Sequence, residues 1–158
     1  MNEQNPAPPG KAPRRRFRAD VVTGIVGYRL RRAQIAVFQQ FIARFAAHDL
    51  RPADYSALAL IEANPGSKQI EIARALGIKR ANFVALINGL EGRGLVERRQ
   101  PADDRRSQAL YLTQRGIEQI AVFNKVQADF EAHCIDKLGG VAARDQLMDL
   151  LGRLLIEE

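Results

Sequence analysis

From residue 20 to residue 48 apolar side chains recur every three or four positions, as Val22, Val26, Leu30, Ala33, Val37, Phe41 and Phe45. That is the period of one face of an α-helix, and it predicts a helix from Asp20, a candidate N-cap, to about His48. Such a helix is longer than most in globular domains, so its stripe is expected to meet more than one neighbour. Pro52 suits a first helical position and opens a helix through Leu58, Leu60 and Ile61, which "NPG" at 64–66 ends. "KQIEIARALGI" then places Ile70, Ala73 and Leu76 on one face, with Gly77 as a stop. "KRANFVALINGLEGRG" turns Phe83, Leu86, Ile87 and Leu90 inward. Another helix is expected from Thr113 to about Leu138, broken by Gly139-Gly140, and a last amphipathic one through Leu147, Leu150, Leu151 and Leu154.

One stretch departs from the helical period. The apolar pair Leu95-Val96 and the alternating Leu110-Tyr111-Leu112 suit short strands, and between them lie Pro101, Asp103, Asp104, Arg105 and Arg106. This is the pattern of a β-hairpin with a charged, turn-rich tip. The fold class that follows is mainly α with a small β-hairpin wing. Two short helices joined near Gly77 form a helix-turn-helix candidate, and the hairpin after them is its wing.

Charge sharpens this picture more than composition does. With 46% apolar and 27% charged residues the chain is ordinary for a globular domain. Its net charge is +6, unevenly spread. Residues 1–18 carry Lys11, Arg14, Arg15, Arg16 and Arg18 against Glu3, and residues 68–106 carry nine basic against five acidic side chains. Residues 114–158 are acidic on balance. A polyanion met by one face suits that asymmetry. Four of the seven prolines fall in residues 1–18, which read as a disordered basic arm able to add phosphate contacts. No apolar run is long enough to span a membrane, and the start does not read as a signal peptide, so the expected location is the cytoplasm. A single cysteine, Cys134, fits a reducing compartment.

The segment "IEIARALGIKRANFVALINGLEGRGLVERR…DDRRSQALYLTQRG" resembles the MarR family of bacterial winged-helix regulators. It matches the family's "ELA..L", the "LE.RGLV" closing the recognition helix, the "DRR" of the wing and the "LT..G" opening the next helix. The resemblance spans roughly residues 20–155. It implies a homodimer joined by the terminal helices, a palindromic double-stranded DNA site, and often a small anionic or phenolic effector. The expected organisation is a basic arm at 1–18, a helical dimerisation region at 19–50 and 114–158, and a winged helix-turn-helix domain at 51–113. The expected function is a homodimeric repressor released from an inverted-repeat operator by an aromatic acid or its coenzyme A thioester.

Asp104 and Arg106 match the family's wing pair, in which the carboxylate steadies a DNA-contacting guanidinium, with Arg105 beside them; a solvated turn pair is the plainer reading. Lys79, Arg80 and Asn82 open the proposed recognition helix, where such motifs reach base edges. Ala81, Val84 and Ala85 stand where small hydroxyl or basic residues are common in the family, leaving fewer polar groups for base readout. Lys68 is a candidate phosphate contact, with Ser67 as a substitute helix cap. Tyr28, Arg32 and Tyr55 are candidate effector contacts in a cleft bordered by the first, second and post-wing helices; core packing for the tyrosines and a solvated face for Arg32 are the alternatives. Close backbone packing is the expected role of Gly24, Gly27, Gly89 and Gly92.

Enzyme activity has little to rest on. There are two histidines, His48 and His133, no Gly-rich phosphate loop, no nucleophile elbow and no Cys-pair zinc spacing. Neither a cofactor nor a metal is expected. A metal- or redox-responsive regulator using Asp129, His133 or Cys134 remains an alternative, as does an oligomerisation or protein-interaction module that binds no DNA.

Overall fold

The computed structural model describes residues 17–100 and 108–155, and the chain divides into two units, Met1–Ala36 and Val37–Glu158. The basic arm up to Arg16 and the wing tip at 101–107 lie outside the described residues.

In the first unit the expected continuous helix is interrupted. α1 runs Asp20–Thr23, and α2, Val26–Arg44, starts after a break at Gly24-Ile25. Two glycines three residues apart each weaken a helix by ~1 kcal/mol relative to alanine, and nothing beyond their own stretch of chain lies within 4 Å of where a Cβ on either would stand. Arg29 Nε donates to the Thr23 carbonyl at 2.6 Å, satisfying an acceptor at the break. Asp20 is not the cap: Ala19 holds that position, and Asp20 pairs with Arg18 at 3.0 Å. Val26, Leu30 and Ala33 are exposed.

The second unit carries the core. α2 ends at Arg44, short of the expected His48, and a 3₁₀ turn follows over Ala46–His48. Of the stripe predicted along the first helix, Phe41 and Phe45 are buried, their rings stacked 4.2 Å apart, while Val37 is exposed. Phe130 and Phe123 meet these two rings edge-on at 6.0 and 6.2 Å. α3, Pro52–Ala63, begins at Pro52 as expected and buries Ala57, Leu58 and Ile61. Its first turn is closed by Asp54, whose carboxylate accepts from the Arg51 backbone N–H at 3.1 Å and from its guanidinium at 2.9 Å.

α4, Gln69–Ala75, and α5, Arg80–Gly92, are joined by Gly77, whose φ of 63° is the left-handed turn a glycine permits. Phe83, Leu86, Ile87 and Leu90 are all buried, as their spacing predicts. α4 differs from its predicted face: Ala73 is buried and Leu76 half-buried, but Ile70 is 49% exposed and Ile72 takes the inward place. Only seven residues long, α4 is oriented by its neighbours rather than by its own stripe.

The hairpin is present as β2, Val96–Arg99, antiparallel to β3, Ala109–Leu112. A third strand, β1 at Ser67–Lys68, pairs with β3 on its other side, giving the order β1-β3-β2. Two residues are too few to show a period, which is why the pattern of the chain does not reveal it. Ser67 therefore does not cap α4. Its hydroxyl donates to the Asn64 carbonyl at 2.6 Å, and the cap is supplied in reverse, by Glu71 accepting from the Lys68 backbone N–H at 2.7 Å.

α6, Gln114–Leu138, packs on α3 and ends at Gly139-Gly140, both with positive φ, before α7, Val141–Leu155. Leu147 and Leu151 are half-buried, whereas Leu150 and Leu154 of the same predicted stripe are exposed. No described helix is long and apolar enough to cross a membrane.

Candidate nucleic-acid interface

The first turn of α5 is a cationic, open surface. Lys79 is its N-cap in extended backbone, Arg80 its first helical residue, and both are exposed together with Asn82. Ala81, Val84, Ala85 and Asn88 continue the same outward face, since Phe83, Leu86, Ile87 and Leu90 use the other face for the core. The orphan N–H groups of the first turn add a partial positive charge to the two cations.

Beside this face lies a cleft of about 670 Å³, bordered by Lys68, Arg80, Val84, Asn88, Arg98 and Gln108. It is formed where the start of α4, the outer face of α5 and the wing strands meet. β1 brings Lys68 here: pairing with β3 sets it opposite Ala109, on the sheet that carries the wing. The structure thus gathers Lys68, Lys79, Arg80 and Asn82 on one side of the second unit. Asp104, Arg105 and Arg106, in the segment of chain that joins β2 to β3, fall outside the described residues.

The effector candidates belong to different units. Tyr28, half-buried, and Arg32, exposed, belong to the first unit. Tyr55 is in the second, its ring 6.0 to 6.2 Å from Phe45 and Phe41. Its hydroxyl donates to Asn124 Oδ1 at 3.0 Å, and the Asn124 amide donates onward to Glu62 at 3.3 Å. Burial foremost, and Glu62 after it, push the Tyr55 phenol above its ordinary pKa. Tyr55 is therefore a packed ring with a satisfied hydroxyl.

Comparison with known proteins settles the family. The MarR family model matches residues 48–107. A protein of Thauera aromatica named for regulation of the hcr operon is 34% identical over 138 residues, covering 84% of this chain and 80% of that protein. The CouR transcriptional repressor bound to a 23-mer DNA duplex is 40% identical, covering 89% of this chain and 99% of its own, with a TM-score of 0.82. CouR bound to p-coumaroyl-CoA is 38% identical over 90% of this chain and 100% of its own, again at 0.82.

The chain belongs to the MarR family. It is a transcriptional regulator with a winged helix-turn-helix fold.

The MarR motifs now have positions. "IEIARAL" is α4, "LEGRGLV" runs from the end of α5 into β2, and Leu112-Thr113 with Gly116 turn β3 into α6. Two of their residues do structural work that spacing does not foretell. Arg93 donates to the carbonyls of Asp49 and His48 at 2.9 and 2.8 Å, tying the end of α5 to the turn before α3. Thr113 caps α6: its hydroxyl accepts from the Gly116 N–H at 3.0 Å and donates to the Gly94 carbonyl at 2.6 Å. Four of the MarR chain's glycines correct an expectation. Beyond the neighbouring residues and the helix's own backbone, nothing lies within 4 Å of a Cβ at Gly24, Gly27, Gly89 or Gly92, so close packing within the chain does not explain them.

The metal and redox alternative gains nothing here. Among the described residues no group of three metal-ligating side chains comes together. Cys134 is half-buried against the core, and burial foremost, then Glu131, push its thiol pKa up. A raised pKa leaves less thiolate at neutral pH, and thiolate is the reactive form. Alkylation of Cys134 at pH 7 should therefore be slower than that of a free cysteine. A rate equal to or above the free amino acid's would restore the redox reading.

Proposed function

We propose that this chain is a homodimeric repressor that binds an inverted-repeat operator and leaves it when an aromatic acid or its coenzyme A thioester binds. One observation carries the DNA half of this reading: the open cationic start of α5, with Lys79, Arg80 and Asn82 exposed beside Lys68. In such motifs these positions reach base edges and phosphates in the major groove. Arg105 and Arg106 at the wing tip are assigned to the neighbouring minor groove, where guanidinium groups are favoured, with Asp104 steadying Arg106. The likeness to CouR, at 40% identity on DNA and 38% with p-coumaroyl-CoA, supports both halves.

Residues 51–113 are the DNA-binding domain in this reading, residues 19–50 and 114–158 the dimerisation region, and residues 1–18 an arm for phosphate contacts. Tyr28, Arg32 and Tyr55 are retained as effector contacts, each to be tested by its own substitution. The expected location is the cytoplasm.

The test begins with duplexes selected by the protein from a randomised pool. An inverted repeat with half-site centres ~10 bp apart is expected from two recognition helices related by two-fold symmetry. Aromatic acids and their coenzyme A thioesters are then titrated with and without the selected duplex. Linkage requires an effector that weakens DNA binding to be weakened by DNA in the same ratio. Equal effector affinities in both titrations would rule out the release mechanism, and a pool showing no enrichment would rule out sequence-specific binding.

A further inference from the structure

β2 is an edge strand, and successive side chains on it face opposite ways. Val96 and Arg98 share one face, Glu97 and Arg99 the other. Val96 is buried, and Arg98 lies opposite Leu110, which is wholly buried. An arginine thus stands at a position the alternation assigns to the core. Its side chain keeps 17% of its surface exposed.

What accommodates it is α5. Arg98 Nη1 donates to Glu91 Oε2, and Nη2 donates to Asn88 Oδ1 at 2.6 Å. The two acceptors are three residues apart, neighbours on the helix surface, and the planar guanidinium spans them as a fork. Arg99, on the other face, is tied within the sheet: it pairs with Glu97 at 2.9 Å and lies over the Tyr111 ring at 4.5 Å.

We propose that Arg98 is a positioning residue for DNA recognition, a neutralised guanidinium that locks α5 to the wing strand. This rests on the DNA-binding reading above. The pair is only part-buried, Glu91 keeping 39% of its side chain exposed, and an ion pair so open to solvent adds little net stability. Its fork does fix direction, and here it fixes the angle between the helix assigned to the major groove and the hairpin assigned to the minor groove. Both must reach the duplex at once, so a loosened angle loses matched contacts while general attraction to phosphate persists. Glu91 cancels the charge of Arg98, so the pair adds nothing to that attraction.

The experiment compares wild type, Arg98→Gln, Glu91→Gln and the exchanged pair Glu91→Arg with Arg98→Glu. Each is titrated over a range of salt with the duplex selected by wild type and with a random duplex. Arg98→Gln leaves the Glu91 carboxylate uncompensated, so random-duplex binding should fall roughly a few-fold, while operator binding falls about tenfold further. The loss of discrimination between the two duplexes is the signature of positioning, whereas loss of a phosphate contact weakens both alike and lowers the slope by about one. Glu91→Gln uncovers a cation, so random-duplex binding should rise and discrimination fall. The exchanged pair should recover discrimination.

If Arg98→Gln does not fold by circular dichroism, Glu91→Gln decides alone. Unchanged discrimination in the folded variants overturns the proposal. So does equal weakening on both duplexes with a slope lowered by one, which makes Arg98 a phosphate contact. Wild type binding both duplexes equally would instead strike the DNA-binding reading, and this inference with it.

Discussion

Replacing Gly116 with alanine should destabilise the protein by about 3 kcal/mol or more, at the upper end of what overpacking costs. A Cβ at this position would lie 2.0 Å from the Leu95 carbonyl oxygen and 3.0 Å from its carbon. Neither is the end of a flexible side chain. The same carbonyl accepts from the Thr113 N–H at 3.1 Å, and Thr113 in turn holds the Gly94 carbonyl, so the segment leading into β2 is held from two sides. Relief requires α6 to lift from the sheet, breaking the Thr113 cap and exposing Ile120 and Phe123 behind it. For a chain of this size that loss lowers Tm by roughly 6–12 °C. Gly89→Ala is the control of opposite sign. It is exposed inside α5 with nothing within 4 Å of its Cβ, so alanine should stabilise by up to ~1 kcal/mol. Thermal unfolding followed by circular dichroism reads both, and a Gly116→Ala Tm within 2 °C of wild type (~1 kcal/mol or less) would contradict this packing.

The second large effect concerns assembly. α7 leaves Val141, Met148, Leu150, Leu154 and Leu155 exposed, Leu154 by 60%, and the first unit exposes Val21, Ile25 and Val26. Apolar side chains concentrated on a terminal helix need a cover, and a second copy of this chain is the cover proposed. Replacing Leu150 and Leu154 together with glutamate places two charges in that interface, each costing several kcal/mol unless paired. The expected product is a folded monomer, because neither side chain belongs to the core of its own chain. A monomer engages one half-site where the dimer engages two, so operator affinity should fall by about 10²–10⁴-fold. Sedimentation at micromolar concentration and titration with the selected duplex test the two steps separately. A double variant that still sediments as a dimer would place the interface elsewhere, and a monomeric wild type would remove the dimer from the proposal altogether.

α3, α5 and α6 were legible because each buries one face, and burial of one face writes a 3.6-residue period into the chain. Phe83, Leu86, Ile87 and Leu90 are the clearest case, and they leave Lys79, Arg80 and Asn82 outward by geometry alone. Pro52, Gly77 and Gly139 marked boundaries for equally local reasons, a fixed φ or a permitted positive one. The MarR motifs carried the order of the elements and, with it, the family.

Tertiary contacts decided the rest, since their partners lie far apart along the chain. Gly116 is required by the carbonyl of Leu95, twenty-one positions earlier, and no local pattern announces that clash. β1 exists because β3 offers it an open edge, not because Ser67-Lys68 has a strand's period. Tyr55 spends its hydroxyl on Asn124, sixty-nine residues away, which moves it from a free aromatic to a packed one. The break at Gly24-Ile25 shows the reverse limit: an apolar stripe sets which face of a helix would be buried, while glycine backbone freedom decides whether that helix is continuous. Arg98 lies between the two cases. Strand alternation sets it in phase with Val96, but only the packing of α5 against β2 supplies Glu91 and Asn88 as acceptors for its two terminal nitrogens.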